Sequence, residues 1–453
     1  MNRSALKLYS SAPVWVQNGL VSLYGAHLRW LRHGRVYRDT LRELLESQRL
    51  PKEALERLQL ERLNAVLANA SGDVALYRER DLPSSVASLE GLADIPLIQK
   101  ADLQRPASEV AAQTGGTPEV IHTGGTTGRA LKIYCDRDTL NRNYAFFERF
   151  RHWTGTGLGK RNAVFAGRTI VPSDQDGPPY WRRNLATNTM LFSSYHLGPQ
   201  TLPSYVAALA GFKPALIDSY PSSLDPIARY MVDHDIRTVR PTAVITSSET
   251  LHPEVRGRIE RAFGCTVYDH YGAAEMAALI TQCEHGAYHV NPEFGIVEIV
   301  RDGAPVGPGE SGEIVATGFI NPVMPLIRYA TGDEAVASDR PCECGRHFPV
   351  IDELRGRMDD VIVTPDGRRV GRLDPIFKAV HSLEETQVVQ DASDHIEVQI
   401  VTAQAPDPAE LEALRFELAA RVGPTMRIDI VRVERIPRAA SGKLRTVVNK
   451  IRT

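Results

Sequence analysis

The alternation of short strand-like and helix-like runs between about residues 100 and 355 constrains the fold of this chain more than any other feature. The clearest strand-like runs lie at 163–165, 215–217, 242–245 and 266–268, with helix-like runs such as 204–209 and 224–234 near them. Strands that alternate with helices indicate an α/β domain. Since 453 residues are too many for one core of ordinary size, we expect at least two domains.

The pattern changes on either side of this region. Residues 1–100 are predicted to be mostly helical, because 39–68 carries apolar residues at helical spacing. After residue 357, strand-like runs and two helix-like runs predict a small α+β domain that ends in a basic loop. The predicted organisation is therefore a helical segment over 1–100, a core over 101–356 and a small C-terminal domain over 357–453.

Composition excludes some partners. The formal net charge of −2 gives no overall attraction to nucleic acid or to an anionic membrane. The apolar stretch 13–31 contains several polar residues and is too polar for a transmembrane segment. It is predicted either to pack on its own domain, which we favour, or to lie on a membrane surface. Five cysteines without a secretion signal favour reduced thiols or a metal site and a cytoplasmic location.

A glycine-rich turn separates two strand-like runs at 119–122 and 131–134. It consists of Thr123, Gly124, Gly125, Thr126, Thr127 and Gly128. Glycines let a backbone approach a ligand closely, and the hydroxyl and backbone N–H groups suit a polyphosphate. The turn is not a Walker A loop, because no Lys-Ser/Thr follows it and the next run is strand-like rather than helical. A plain hairpin loop is the alternative interpretation.

Five further motifs follow this turn in order, at 247–251, 269–275, 328–333, 355–360 and 437–443. Together the six segments closely resemble those of the adenylate-forming (acyl-CoA synthetase-like) superfamily. The run 324–329 and the Cys-x-Cys-Gly-Arg at 342–346 resemble its phenylacetate-CoA ligase branch, and residues 1–100 resemble the capsular polysaccharide (CapK-like) subgroup.

The resemblance implies a large α/β domain with a small mobile α+β C-terminal domain. It also implies ATP-dependent activation of a small carboxylic acid as an acyl-AMP, release of pyrophosphate, and transfer to the thiol of CoA or to an amine. One alternative is an amide- or ester-forming ligase of surface polysaccharide synthesis that does not use CoA. Another is a catalytically silent nucleotide-binding scaffold. A homodimer is one candidate assembly, and the sequence leaves the oligomeric state open.

The resemblance also assigns roles to single residues. The turn at 123–128 would hold the β- and γ-phosphates, Glu275 would hold Mg²⁺, and Asp333 would accept the ribose hydroxyls. Tyr271, Gly272, Ser248 and Glu249 would line the adenine pocket.

Three further residues belong to the predicted catalytic cycle. Arg357 would reach the ribose or the α-phosphate, Lys443 would neutralise charge at the α-phosphate, and Asp359 would be the hinge of the small domain. Two departures from the superfamily pattern are visible: Arg129-Ala130 follows the last glycine of the turn, and Ala274 replaces the threonine that commonly precedes the motif glutamate.

A metal site is predicted from Cys283, His289, Cys342 and Cys344, since three thiolates and one imidazole suit a closed tetrahedral zinc site with a structural role. His285 and His347 are rival ligands, and buried free cysteines are the alternative. The acyl pocket is predicted around Tyr195, His196, Tyr220 and Pro221, which combine aromatic faces with polar atoms.

Overall fold

The fold is taken from a computed structural model. It describes the N-terminal half of the chain as residues 9, 11–112, 118–122, 131–165, 170–172 and 175–249. It describes the C-terminal half as residues 251–355, 362–370, 373–377, 380, 383–402, 404–436 and 447–451.

Helices dominate the first hundred described residues. The long helices are α1 (Val14–Arg32), α2 (Arg35–Ser47) and α3 (Lys52–Asp73). The short helices α4 (Ala75–Arg78) and α5 (Ala107–Val110), and 3₁₀ turns at Glu90–Asp94 and Lys100–Leu103, follow them. The buried side chains of α2 and α3, such as Leu44, Leu63 and Leu67, pack in one core cluster with Phe146 and Phe294 of the following domain. The helical segment therefore completes the core of the large domain.

A parallel sheet follows. After the hairpin of β1 (Glu119–His122) and β2 (Lys132–Cys135) comes α6 (Arg137–Trp153), which begins where the Asp136 side chain accepts a hydrogen bond from the Thr139 backbone N–H at 2.6 Å. The strands of the sheet are β3 (Asn162–Phe165), β4 (Trp181–Asn184), β5 (Thr189–Phe192), β6 (Leu216–Ser219), β7 (Ala243–Ser247) and β8 (Val267–Gly272). Its connecting helices are α7 (Leu202–Phe212), α8 (Pro221–Asp233) and α9 (Pro253–Phe263).

The sheet continues as antiparallel strands. These are β9 (Leu279–Gln282), β10 (Tyr288–Val290), β11 (Gly295–Arg301), β12 (Ala304–Pro305), β13 (Ser311–Gly318), β14 (Tyr329–Ala337) and β15 (Val350–Leu354). In the whole thirteen-stranded sheet the strand order is 12-11-13-14-15-10-9-8-7-6-3-5-4. Strands 5, 3, 6, 7 and 8 are parallel to one another, and strand 4 is an antiparallel edge.

The C-terminal residues form a smaller α+β unit. It begins with the β-ribbon of β16 (Ile362–Val363) and β17 (Arg369–Val370) and the short helix α10 (Asp374–Phe377). Its sheet has the order 20-19-18-21, made by β18 (Leu383–Ala392), β19 (His395–Thr402), β20 (Arg427–Arg432) and β21 (Val447–Asn449). Helix α11 (Pro408–Val422) buries Leu414, Leu418 and Val422 in a cluster with Val388 and Val398 of this sheet. The predicted large α/β domain with a small C-terminal α+β domain is confirmed.

Candidate nucleotide and metal sites

The carboxyl ends of the parallel strands form the predicted nucleotide site. Strands β6, β7 and β8 end at Ser219, Ser247 and Gly272, which lie at the same edge because the strands run in parallel. Ligands of open α/β sheets bind outside this edge. The fold therefore brings three separate sequence motifs to one crevice.

Tyr271 and Asp333 are hydrogen-bonded to each other near this edge of the sheet. The hydroxyl of Tyr271, at the end of β8, donates a hydrogen bond of 2.8 Å to Oδ2 of Asp333 on β14. Burial, and then the negative charge of Asp333, raise the pKa of Tyr271 well above its ordinary value. The tyrosine therefore stays protonated and holds the aspartate at the edge of the crevice.

The residues after β7 follow the end of the strand next to β8. Ser248 is exposed and has a φ of +70°, and the carboxylate of Glu249 accepts hydrogen bonds from the backbone N–H and the hydroxyl of Ser222, at 2.9 and 2.8 Å. Ser222 lies in the first turn of α8, where a negative charge is favourable. Glu249 thus fixes the loop that carries Ser248.

The end of β8 also carries Gly272 and Glu275. Gly272 is exposed as the last residue of the strand, and Glu275 is half-buried three residues later. Their assigned contacts with adenine and Mg²⁺ stay predictions.

Two of the four predicted acyl-pocket residues are used in packing. Tyr195 is buried in a cluster with the small domain, where its hydroxyl accepts a hydrogen bond of 3.3 Å from Nε of Arg421 and its carbonyl accepts one from Arg368. Both ring nitrogens of buried His196 are engaged, Nδ1 with Oγ of Ser193 at 2.8 Å and Nε2 with the carbonyl of Pro172 at 2.9 Å. These contacts favour a structural role, and the substrate role stays a prediction.

Protonation of His196 should destabilise the fold. Burial lowers its pKa to about 4, against 6.5 when it is exposed. Between these values the unfolded chain binds the proton and the folded chain does not. The contribution of His196 is therefore fully present above pH 6.5 and is lost as the pH falls towards 4, with a slope of at most about 1.4 kcal/mol per pH unit.

The measurement is the urea midpoint at pH 7 and at pH 5 for the wild type and His196→Gln. The variant should lose less stability on acidification than the wild type, whereas the exposed control His234→Gln should behave like the wild type. Equal acid sensitivity of His196→Gln and the wild type would contradict this prediction.

The other two predicted acyl-pocket residues lie at the crevice. Pro221 is the buried first residue of α8, and Tyr220 before it is half-buried. Tyr220 lines a cavity of about 1090 Å³ together with Ser219, Ser247 and Ser248. This cavity extends from the strand ends to the underside of α1.

Two arginines that line this cavity were not predicted as site residues. Arg151 of α6 lines it and lies 3.7 Å from Asp218 (Nη2 to Oδ2), and Arg32 of α1 lies over the ring of Tyr144 at 4.5 Å. The one visible signal was the apolar stretch 13–31, which was interpreted only as a packing or surface helix.

The four predicted metal ligands lie close together at the opposite edge of the sheet, where β9 ends and Cys283 follows it. Their ligand atoms all lie within 4.8 Å of one another, although Cys283 and His289 are separated by more than 50 residues from Cys342 and Cys344. Cys283 Sγ lies 3.6 Å from Cys342 Sγ, and Cys344 Sγ lies 3.4 Å from His289 Nε2. All five cysteines are free thiols. The rivals His285 and His347 are not in this group and are exposed.

These distances fit tetrahedral zinc. Bonds of about 2.3 Å to sulfur and 2.0–2.1 Å to nitrogen place ligands about 3.8 Å (S to S) and 3.6 Å (S to N) apart. The other ring nitrogen of His289, Nδ1, lies 3.4 Å from the carbonyl oxygen of Phe348, the kind of contact that orients a ligating histidine. The donor set and its geometry therefore fit a structural zinc ion.

Several predicted site residues lie outside the described residues. They are the turn at 123–128, Arg357, Asp359 and Lys443. Their roles stay predictions.

Comparison with known proteins agrees with this architecture. Residues 362–450 match the family model of the CapK C-terminal domain. The chain is 26% identical over 452 residues to Protein CapK of Staphylococcus aureus, covering 98% of this chain and 99% of that protein. It is 24% identical over 470 residues to a phenylacetate-coenzyme A ligase of Thermus thermophilus, covering 89% and 98%.

A solved structure of 2-hydroxyisobutyryl-CoA ligase, in an open conformation with 2-HIB-AMP and CoA, is also similar. It has a TM-score of 0.57 at 20% identity and covers 89% of this chain and 93% of that chain.

The chain has the fold of the adenylate-forming ligases. Its C-terminal domain is of the CapK C-terminal type, so the predicted resemblance to this superfamily and to its phenylacetate-CoA ligase and CapK-like branch is confirmed. The predicted enzyme class, an adenylate-forming ligase, is confirmed with it. Among the described residues, no helix is both long enough and apolar enough to cross a membrane.

Proposed function

We propose that this protein activates a carboxylic acid with ATP and then transfers the acyl group to a thiol or an amine. A carboxylate oxygen attacks the α-phosphorus of ATP, the bond to the β-phosphate oxygen breaks, and acyl-AMP and pyrophosphate form. The acceptor then attacks the acyl carbon, and AMP leaves. Catalysis of this kind depends mainly on positioning and on charge stabilisation.

The observation that carries this proposal is the Tyr271–Asp333 pair at the carboxyl ends of the parallel strands. A carboxylate has two acceptor oxygens and suits the two hydroxyls of a ribose. The hydrogen bond from Tyr271 fixes this carboxylate beside the end of β8, and Ser248 follows the end of the neighbouring strand β7. The order of these elements supports a nucleotide bound between β7, β8 and β14.

The phosphates and the metal would lie next to this pocket. The turn at 123–128 would hold the phosphates by resemblance, and Glu275 offers a carboxylate for Mg²⁺. Magnesium prefers one or two carboxylates together with phosphate oxygens and water, and it would offset the phosphate charge when bound. Arg357 and Lys443 would add positive charge at the α-phosphate, with Asp359 as the hinge that moves Lys443 towards and away from it.

The acceptor defines two versions of the function. Relatives named phenylacetate-coenzyme A ligases, and a structural neighbour with CoA bound, favour a thioester product. The alternative version is an amide or ester formed in surface polysaccharide synthesis without CoA, which the resemblance of residues 1–100 to the capsular polysaccharide subgroup implies. A catalytically silent nucleotide-binding scaffold is the alternative outside enzyme chemistry.

Carboxylate-dependent exchange of label between pyrophosphate and ATP tests the first half-reaction. We expect exchange with at least one acid of a panel that runs from acetate to 18-carbon acids. Addition of CoA or of an amine panel then identifies the acceptor by the product formed. If the protein binds ATP but no acid supports exchange, the proposed ligase activity is wrong and the nucleotide-binding scaffold is the remaining interpretation.

The zinc site is a separate prediction. We expect about one zinc ion per purified chain, held by Cys283, His289, Cys342 and Cys344. The variant Cys344→Ser should lose this zinc ion. Structural zinc contributes directly to folding, so this variant should also unfold at a lower temperature. Cys265→Ser is the matched control, because Cys265 is a free thiol outside the cluster and should leave the zinc content unchanged. A metal-free wild type would contradict the prediction.

A further inference from the structure

The outer face of α1 is an exposed apolar surface. It is formed by Trp15, Leu20, Leu23, Tyr24 and Trp30, whose exposed fractions are 76%, 47%, 71%, 61% and 65%. At 3.6 residues per turn, these five positions fall within about half of the helix circumference. Leu185, 67% exposed in the turn after β4, extends the surface.

The opposite face of α1 is anchored, so the apolar face must point outward. Asn18 Oδ1 accepts a hydrogen bond from the backbone N–H of Arg183 at 2.8 Å, and Ser22 Oγ accepts one from Leu185 at 2.9 Å. Gly25 lies against Asn184, where a Cβ would come within 2.1 Å of the amide nitrogen. The helix thus covers the exposed edge of β4 and turns its aromatic residues to solvent.

The same helix forms one wall of the 1090 Å³ cavity. The apolar residues that line it include Val16, Val21 and Leu28 from α1 and Val164, Leu191 and Leu216 from the sheet and its margin. Leu20 and Tyr24 belong both to this lining and to the exposed face. The cavity therefore runs from the apolar surface to Ser247 and Ser248 at the proposed nucleotide site. Its volume of about 1090 Å³ lies just above the usual range for small-molecule sites, about 300–1000 Å³.

The segment that carries this surface has charge of one sign. Residues 11–38 contain four arginines and no aspartate or glutamate, although the whole chain has a net charge of −2. Arg29, Arg32 and Lys160 line the cavity. Aromatic and leucine residues on one side of a helix with arginines at its end are typical of helices that lie on anionic membranes.

We propose that α1 docks on an anionic membrane surface and that the cavity beneath it takes from that membrane a carboxylic acid with a long apolar chain. This inference rests on the proposed function, because the acid would be the one activated at the strand ends. Its carboxylate would face Ser247 and Ser248, and its chain would lie under α1.

Flotation of the full chain with lipid vesicles tests the docking. The wild type should bind 1:1 phosphatidylglycerol–phosphatidylcholine vesicles at least tenfold more strongly than pure phosphatidylcholine vesicles. Trp15→Ser/Leu23→Ser/Trp30→Ser should bind at least tenfold more weakly, and it should fold because all three side chains are exposed. The matched control is Phe416→Ser/Val431→Ser, which removes exposed apolar side chains of the small domain and should bind like the wild type.

Three results would overturn the docking. They are a wild type that floats with neither vesicle, a triple variant that binds like the wild type, and equal binding to both vesicles. If the wild type does not bind vesicles but forms a dimer, and the triple variant is a monomer, the apolar face is an interface with a second copy of the chain.

Pyrophosphate exchange tests the cavity. A 16-carbon acid should support exchange with at least tenfold higher kcat/KM than phenylacetate, and Val164→Trp, which fills the cavity, should lower exchange with the long acid at least tenfold. A cooperative urea unfolding transition with a midpoint close to that of the wild type shows that Val164→Trp is folded. Exchange with short acids alone would overturn this inference and leave the proposed function standing, whereas no exchange with any acid would overturn the proposed function itself.

Discussion

Lys443→Ala is expected to lower the rate of acyl-adenylate formation by about 10²–10³-fold, the loss typical when one preorganised charge-stabilising donor is removed. The transition state carries additional negative charge between the α-phosphate and the attacking carboxylate. A lysine ammonium is a compact, mobile cation that can neutralise this charge. ATP binding should change only a few fold, because the predicted pocket around Tyr271 and Asp333 is intact in the variant. The measurement is single-turnover release of pyrophosphate, together with a separate titration with ATP.

Lys450→Ala is the matched control. Lys450 is an exposed residue at the end of β21 in the same small domain, anchored there by a backbone hydrogen bond of 2.8 Å to Gln390. Its replacement should leave the rate unchanged. Wild-type pyrophosphate release by Lys443→Ala would remove Lys443 from the mechanism.

Arg149→Met is expected to cost the large domain about 3–5 kcal/mol of stability, because it leaves a buried carboxylate without its partner. Nη1 and Nη2 of Arg149 lie 2.7 and 3.0 Å from the two carboxylate oxygens of Glu293, and both side chains are 0% exposed. Arg149 also donates to Asn291 Oδ1 at 2.6 Å, and Ser47 donates to Glu293 at 2.6 Å. Although burial opposes it, the charge of Arg149 holds the pKa of Glu293 below its ordinary value. This pair joins α2, α6 and the segment before β11.

Urea unfolding measures this loss. Arg149→Met/Glu293→Gln should recover part of the stability, because the second substitution removes the unpaired charge. Arg340→Met, which breaks the exposed pair with Asp352, should cost less than about 1 kcal/mol. A loss of that small size for Arg149→Met would show that the buried pair does not hold these elements together.

Much of the architecture could be predicted from local patterns. Four strands of the parallel part of the sheet, β3, β6, β7 and β8, were predicted to within a few residues, because apolar runs between turns indicate buried strands. Strand β8 was predicted to end at residue 268 but continues to Gly272. Its last residues, Asp269 to Gly272, do not form an apolar run, so only their pairing with β7 and β9 shows that the strand continues.

Contacts between distant residues could not be predicted in this way. The hydrogen bond between Tyr271 and Asp333 joins residues 62 positions apart, and only the fold brings them together. Tyr195 carries an aromatic face and a hydroxyl, as a pocket residue would, yet it packs against Arg421 of the small domain. The metal cluster is the exception among these long-range contacts, and its four members could be predicted from the sequence. Cysteines and histidines are few enough in this chain to be grouped as ligands by residue type.

Direct detection of acyl-AMP tests the account most closely. The protein is incubated with ATP, Mg²⁺ and a panel of carboxylic acids without an acceptor, and the quenched mixture is analysed by mass spectrometry. We predict equal amounts of acyl-AMP and pyrophosphate with at least one acid, and the loss of both in Asp333→Ala. ADP and phosphate as the products, or no acyl-AMP with any acid although the protein binds ATP, would contradict the assignment of this site.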